Sequence, residues 1–143
     1  MKDLHNNTRT KTVIAPVAIG ANATKTGKII DRQGYGGVEF IAAYGAVTTT
    51  GTVVTLVVKE GDVTGTLTSV ADGDLLGTEA LASLLATTPR TSGTSQNVTK
   101  RVGYKGIKRY VQVNAVQTGV TSVGCVGVVA VLHTPEASPT ANP

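Results

Sequence analysis

Apolar and polar residues alternate along most of this chain with a period of two, the spacing that sets one face of a β-strand against a core and the other toward water. In Gly36 to Gly45, GGVEFIAAYG, the alternation puts Val38, Phe40, Ala42 and Tyr44 on one face and Glu39, Ile41 and Ala43 on the other. Phe40, the one phenylalanine, is expected at the centre of the core. Thr52 to Glu60 repeats the pattern, with Val54, Leu56 and Val58 inward and Thr55 and Lys59 outward. Val63 to Val70 alternates weakly, as a strand exposed on one side does. Thr12 to Ile19 forms a first strand, which Pro16 confines to a sheet edge or a bend because proline has no N–H to donate. Lys25 to Asp31 forms the second and runs into a tight turn at Arg32-Gln33-Gly34.

Farther on, Arg101 to Val113, RVGYKGIKRYVQV, carries β-rich arms on both sides of Lys105-Gly106 and reads as a β-hairpin closed by a two-residue turn. The period then places Ile107, Val111, Val113 and Ala115 on one face and Lys108, Tyr110, Gln112 and Asn114 on the other. Val123 to Leu132 is apolar on both faces, as suits a strand that is central or covered by a partner. One segment departs from the alternation. In Ala71 to Thr88, ADGDLLGTEALASLLATT, Leu81, Leu84 and Leu85 fall at helical spacing. With Thr78 to cap and Glu79 in the first turn, a loop and about two helical turns are expected, with Leu75 and Leu76 held against the body. Pro89 to Ser95 reads as a loop. Residues 1–11 have no periodicity and residues 133–143 are broken by prolines, so both are expected as extended arms flanking one domain, 12–132. The sum is about eight strands joined by short turns with one short helical insertion: an all-β, jelly-roll-like β-sandwich.

Composition narrows what fills that sandwich. Across 143 residues only 3% are aromatic and tryptophan is absent, so valine, isoleucine, leucine and alanine must make the core. The single cysteine, Cys125, has no partner for an internal disulfide and sits in the apolar run VGCVGVVAVL, where it is expected as a buried small hydrophobe. No apolar stretch approaches a membrane span, and the first residues lack a secretory pattern, so synthesis and retention in a cytoplasm are expected.

Catalytic chemistry finds little support. Asp62, Asp72, Asp74 and Glu79 lie where acids serve turns and caps, and Glu79 follows Asp72-Gly-Asp74 too closely for a calcium loop. His5 and His133 stand apart from other metal ligands, and GYGG at 34–37 lacks the lysine of a phosphate loop. No enzymatic activity, metal or cofactor is expected. The net charge of +4 admits an acidic partner. Its candidate contacts are Lys2, Arg9 and Lys11 in the first arm and Lys100, Arg101, Lys105, Lys108, Arg109 and Tyr110 around the hairpin. Cations interleaved with Tyr104 and Tyr110 suit phosphates and bases, but lysines also keep a strand edge soluble, and no nucleic-acid motif is present. Specific nucleic-acid binding is therefore not expected.

Three stretches, DRQGYGGVEF at 31–40, DLLGT at 74–78 and VGYKGIKRYVQV at 102–113, resemble small virion proteins of tailed bacteriophages, especially head cement or decoration proteins. The resemblance spans Asp31 to Leu132, and KEGDVTGTLTSV at 59–70 departs from it, lacking a serine-acid-glycine turn and a tryptophan. What it implies is a jelly-roll-like sandwich assembled in a bacterial cytoplasm. It implies a homo-oligomer, dimer or trimer, on the outside of the head, clamping neighbouring major capsid protein subunits without enzymatic activity. The alternative it leaves is a neck, tail or fibre accessory. A carbohydrate-binding sandwich is disfavoured by the absence of tryptophan and the presence of only four tyrosines.

Overall fold

The computed structural model describes residues 3–46, 51–84, 97–120 and 124–137. Strand pairing in it is nested. β5 (Val53–Val63) and β6 (Thr66–Ser69) form a tight hairpin across Thr64-Gly65, with Val63 opposite Thr66. Outside that pair, β4 (Tyr35–Tyr44) meets β8 (Thr99–Tyr104), and β2 (Thr24–Thr26) and β3 (Ile30–Asp31) meet β9 (Tyr110–Thr118). Outermost, β1 (Thr8–Ile19) meets β10 (Gly124–Pro135). The chain is thus one long antiparallel ribbon, rolled so that successive pairs fall in alternate sheets. The first sheet has the order β1-β10-β4-β8-β7, where β7 is Leu75–Leu76; the second runs β2-β9-β5-β6, with β3 also on β9. This is the jelly-roll-like sandwich that the alternation predicts. Counting β2 and β3 as one interrupted strand leaves nine, the eight expected and β7 as the addition.

The inward faces match the period of two. Val38, Phe40, Ala42 and Tyr44 from β4 and Val54, Leu56 and Val58 from β5 are buried, with Val111, Val113 and Ala115 of β9 beside them. The second expected strand is broken in two at Gly27. A Cβ there would lie 2.2 Å from the carbonyl oxygen of Val113, so only glycine fits. The break is fastened from outside the core, because Gln112 Nε2 donates to Gly27 O at 2.7 Å and Gly27 N donates to Asn114 Oδ1 at 3.2 Å. Lys28 N then donates to Val13 O at 2.9 Å and ties the second sheet to the edge of the first.

At the opposite edge β6 covers only the Lys59 to Val63 half of β5. The other half is covered by residues 78–84. Val54 N donates to Leu84 O at 2.8 Å, Leu56 N to Ser83 Oγ at 2.9 Å, and Val58 N to Glu79 Oε1 at 2.5 Å, so alternate backbone donors of β5 are satisfied by a segment that is not itself a strand. This task limits the helix to α1 (Glu79–Ala82), one turn instead of two. Thr78 caps it as expected, its Oγ1 accepting from Leu81 N at 3.1 Å. Leu84 is buried against β5 while Leu81 points to solvent, and Leu85 and residues 89–95 fall outside the described residues. Leu75 is buried; Leu76 is half-exposed.

Four expectations are corrected. The hairpin at Lys105-Gly106 does not exist: β8 belongs to the first sheet and β9 to the second, and residues 105–109 cross between them. A strand has two edges, and those of β8 are taken by β4 and β7 while those of β9 are taken by β5 and by β2 with β3, so the two cannot pair. The first arm shrinks, since β1 begins at Thr8 and not Thr12, after a single 3-10 turn over His5–Asn7 in which Asp3 Oδ1 accepts from Asn6 N at 3.0 Å. The second shrinks as well, because β10 continues through Pro135 and Thr8 sits opposite His133. Residues 1–2 and 138–143 lie outside the described residues. Cys125 is exposed, not buried, because Val126 and Val128 take the inward positions of β10 and leave it on the outer face. Pro16 sits on the edge strand β1 within a shift of register between Ile14 and Val17, as its missing donor demands.

These packing roles set the size of two losses. Phe40→Ala should cost about 3–5 kcal/mol through cavity formation. Ser83→Ala should cost about 1–3 kcal/mol, because the Leu56 N–H would be left buried without an acceptor. Urea midpoints at constant m-value measure both, and a Ser83→Ala variant as stable as the parent would show that the edge cover of β5 is incidental.

Candidate functional site

The crossing between β8 and β9 is built around an arginine from a distant turn. After β3 the chain turns at Arg32-Gln33-Gly34, where Asp31 Oδ1 accepts from Gln33 N at 3.0 Å and Gly34 takes a φ of 83°. The turn aims Arg32 at the crossing. Its Nε donates to Lys108 O at 2.5 Å, Nη2 to Gly106 O at 2.7 Å, and Nη1 to Tyr35 O at 3.0 Å and Gly36 O at 3.4 Å. The guanidinium also lies 5.5 Å from the centroid of the Tyr104 ring. A planar cation with a fixed fork of donors is suited to gather carbonyls from two segments at once.

Tyr104 supplies the floor. Its hydroxyl donates to Glu60 Oε2 and accepts from Lys108 N at 3.0 Å. Burial, with the Glu60 carboxylate beside it, pushes the phenol above its ordinary pKa of 10.0. Gly106 rests on that ring so closely that a Cβ would fall 2.4 Å from the Tyr104 hydroxyl oxygen, and a buried, doubly bonded tyrosine cannot give way. Lys105 N donates to Asp74 O at 2.9 Å. Lys108 Nζ meets Asp62 at 2.5 Å, and Arg109 forks onto Asp31 at 2.7 and 3.1 Å with its guanidinium 5.0 Å from the Tyr110 ring centroid. Hydrogen bonds from Arg109 and Lys108 hold the Asp31 and Asp62 carboxyls below their usual range.

Between these ties projects Ile107, 89% exposed. The strand period assigns it to the core face with Val111; the crossing instead lifts it out of any strand. Beside it is a recess of about 240 Å³ bordered by Arg32, Tyr35, Arg109 and Glu136. The result is an aliphatic tip on a loop fixed by Arg32, Tyr104, Asp74, Asp62 and Asp31.

The residues expected to contact a partner do not form one surface. Lys105, Lys108, Arg109 and Tyr110 gather at the crossing. Lys100 lies on the inner side of β8, where Nζ donates to Ser83 O at 2.7 Å, and Arg101 lies on the outer side, 3.6 Å from Glu39. Arg9 and Lys11 are placed on β1 opposite Leu132 and Ala130, whose side chains are buried, so both cations turn toward the interior of the sandwich. Arg9 Nε is buried without a hydrogen-bond partner among the described residues, and Lys11 helps to lower the Asp31 carboxyl. Inward charges, a proline and two shifts of register on one edge strand deter pairing with another strand. Lys2 falls outside the described residues. Sequence reasoning missed Arg32, whose only local signal was a turn, and read Tyr104 as a residue for stacking on bases where it is the buried floor of the crossing. Among the described residues no three His, Cys, Asp or Glu side chains cluster to hold a metal, and no helix is long and apolar enough to cross a membrane.

No protein-family model and no curated protein matches the sequence. Solved structures do match in fold. A chain in the structure of infectious bursal disease virus, Gx strain, is similar over 92% of this chain and 34% of that one, at 12% identity and a TM-score of 0.50. A chain of the disulfide-linked pili of Bacillus endospore appendages is 15% identical over 90% of this chain and 89% of its own, with a TM-score of 0.41. The N-terminal part of endo-1,4-beta-D-xylanase 10B from Clostridium thermocellum is 14% identical over 96% of this chain and 28% of its own, with a TM-score of 0.44. At 12% identity the likeness to the viral chain is one of fold alone, and this chain spans about a third of it.

Two outcomes follow from the crossing. Arg32→Met should release residues 105–109 while the sheets persist, so trypsin cleavage after Lys105 and Lys108 should quicken about tenfold or more with the far-ultraviolet dichroism unchanged; an unchanged cleavage rate would mean that Arg32 is not the staple. Asp31 and Asp62 bind protons less readily when folded, so their contribution is complete above the ordinary value of 3.8 and is lost as pH falls through their lowered folded values. At the other limb Tyr104 and Tyr44 resist ionisation when folded, so stability should fall as pH rises past 10.0. Urea midpoints across pH test this, with Asp31→Asn and Asp62→Asn flattening the acid limb.

Proposed function

We propose that this chain is a structural virion protein that binds the outside of a bacteriophage capsid and stabilises it by bridging major capsid protein subunits. One observation carries the reading. The three stretches that resemble phage cement proteins are far apart in sequence, yet all three meet at the crossing: Asp31 and Arg32 from the first, Asp74 from the second, and Lys105 to Arg109 from the third. In this chain the three stretches together present one loop, with Ile107 at its tip and Lys105 exposed beside it. The jelly-roll-like fold, shared with a chain of a virus structure, supports the same reading.

A loop held in one conformation loses little entropy when it docks, so a small apolar tip with a neighbouring cation can bind a capsid groove usefully. Repeated over a shell, such contacts add up through avidity without any one being strong. The role needs no catalytic group, and the protein acts by position alone.

Particles stripped of the protein and incubated with purified chain provide the test. Particles that regain it should retain their genome to higher temperature than stripped ones. Ile107→Asp should weaken binding about tenfold or more, as loss of a central apolar anchor does, with the melting temperature of the free protein unchanged. Lys105→Glu should weaken it less and mainly at low salt. Equal binding by parent and Ile107→Asp would remove the crossing from the interface, and unaltered heat resistance would remove the cement role. Copy number decides between shell and appendage: a shell-wide protein is present in hundreds of copies, a neck, tail or fibre accessory in tens or fewer.

A further inference from the structure

The two open sides of the sandwich differ in charge among the described residues. Around β6, β7 and the start of α1 stand Asp62, Asp72, Asp74 and Glu79. The other side, where β1 runs beside β3, carries Arg9 and Lys11 on β1, Lys28 across from Val13, and Arg109. The carboxylate beside them, Asp31, is already taken: Oδ2 accepts from Arg109 Nη2 at 2.7 Å, and Oδ1 from Arg109 Nε at 3.1 Å and from Gln33 N at 3.0 Å. The three ion pairs among the described residues use Arg101, Lys108 and Arg109, so Arg9, Lys11 and Lys28 have no carboxylate at ion-pair distance there. Arg9 Nε is moreover buried with no hydrogen-bond partner among those residues. Charges that only keep a foreign strand away work as well in water, whereas a guanidinium turned into the seam with a donor left over calls for an acceptor.

We propose that the seam between β1 and β3 is a binding site for one phosphate-type oxyanion, held by Arg9, Lys11 and Lys28. Arg9 and Lys11 are two residues apart on one face of an extended strand, about 6.7 Å along it, so their long side chains can converge on a common point. Lys11 is close enough to Asp31 to help hold its carboxyl down, and Lys28 is anchored on the opposite wall by its backbone bond to Val13. Arg9 supplies a planar fork of donors and the lysines two point charges, the combination that suits an ion with several acceptor oxygens. With Arg109 and Asp31 cancelling, three positive charges remain, which favours a dianion over chloride or a lone carboxylate. A water would accept from one of these donors and offset none of the charge. The depth of Arg9 Nε suits a compact ion or a terminal phosphate better than a diester backbone running over the surface. The acidic side works with the site, since the field across the sandwich directs anions toward β1. Bound there, the ion joins the edge strand of the first sheet to the second, adding to the backbone bond between Lys28 and Val13. Neither the site nor its ligand depends on the capsid reading.

The full chain in solution with inorganic phosphate provides the experiment. Three charge-assisted contacts worth about tenfold each set a dissociation constant on the order of 1 mM. Equilibrium dialysis should therefore find one phosphate per chain, and the urea midpoint should rise saturably between about 0.1 and about 20 mM phosphate at constant ionic strength. Arg9→Met should remove the saturable rise. Lys11→Met and Lys28→Met should each weaken binding about tenfold, so the outcome does not rest on one variant. In chloride alone Arg9→Met should equal or exceed the parent in stability, because it removes a partly buried cation that nothing pairs. Arg101→Met, on the outer side of β8, should keep the full response to phosphate. Stabilisation by an excluded anion acts on every variant and does not saturate, so an equal response of the parent and Arg9→Met would be a general salt effect and would overturn the proposal. Dialysis without bound phosphate would overturn it too, as would a single-stranded oligonucleotide that binds the seam and is not displaced by inorganic phosphate. These measurements use no particles, so each result leaves the capsid reading to be judged separately.

Discussion

The guanidinium of Arg32 holds together the place where the two sheets exchange the chain. Crossing residues cannot join either ladder, so their carbonyls need donors from elsewhere, and unsatisfied ones near a core are costly. Arg32 answers for four carbonyls, two in the crossing and two at the start of β4. Because it also lies over Tyr104, the aromatic floor of the crossing is fixed from above by a cation and from its hydroxyl by Glu60. The position of β9 relative to β8, and hence the stacking of one sheet on the other at this end, rests on that arrangement.

Sequence pattern decides some of this architecture and is silent on the rest for a physical reason. Alternation reports which way a side chain points, so the inward sets on β4 and β5 were legible from their letters. It does not report which strand lies alongside. RVGYKGIKRYVQV has the strands and the glycine of a hairpin, and only the occupancy of both edges of β8 forbids one. Charge misleads in a similar way: Arg9 and Lys11 suggest an arm in solvent but lie on the interior side of an edge strand. Arg32 was illegible because two of its carbonyl partners lie 74 and 76 residues downstream. Cys125 read as buried because it sits among valines, yet one-residue alternation sets it outward.

Edges are managed by three different means. β1 is blunted by its own residues. The second sheet is fastened to β1 at Lys28 and Val13, which narrows the open seam between sheets. The upper half of β5 is covered by Leu84, Ser83 and Glu79, a backbone oxygen and two side-chain oxygens standing in for a strand. Each device satisfies donors while offering no ladder to another chain.

Nested pairing also orders the closing of the chain. β5 and β6 meet across Thr64-Gly65, a contact that needs almost no search, whereas Thr8 and His133 meet only after nearly the whole chain has been gathered. Each inner pair shortens the effective loop that the next must close, so the entropy of bringing the two ends together is divided into small steps instead of being met at once. A ribbon of this form folds as a zipper from its middle outward, slowly because most of its contacts are distant in sequence. Its last tooth is the β1–β10 pair, and whatever is attached to either end of the chain waits for that tooth to close.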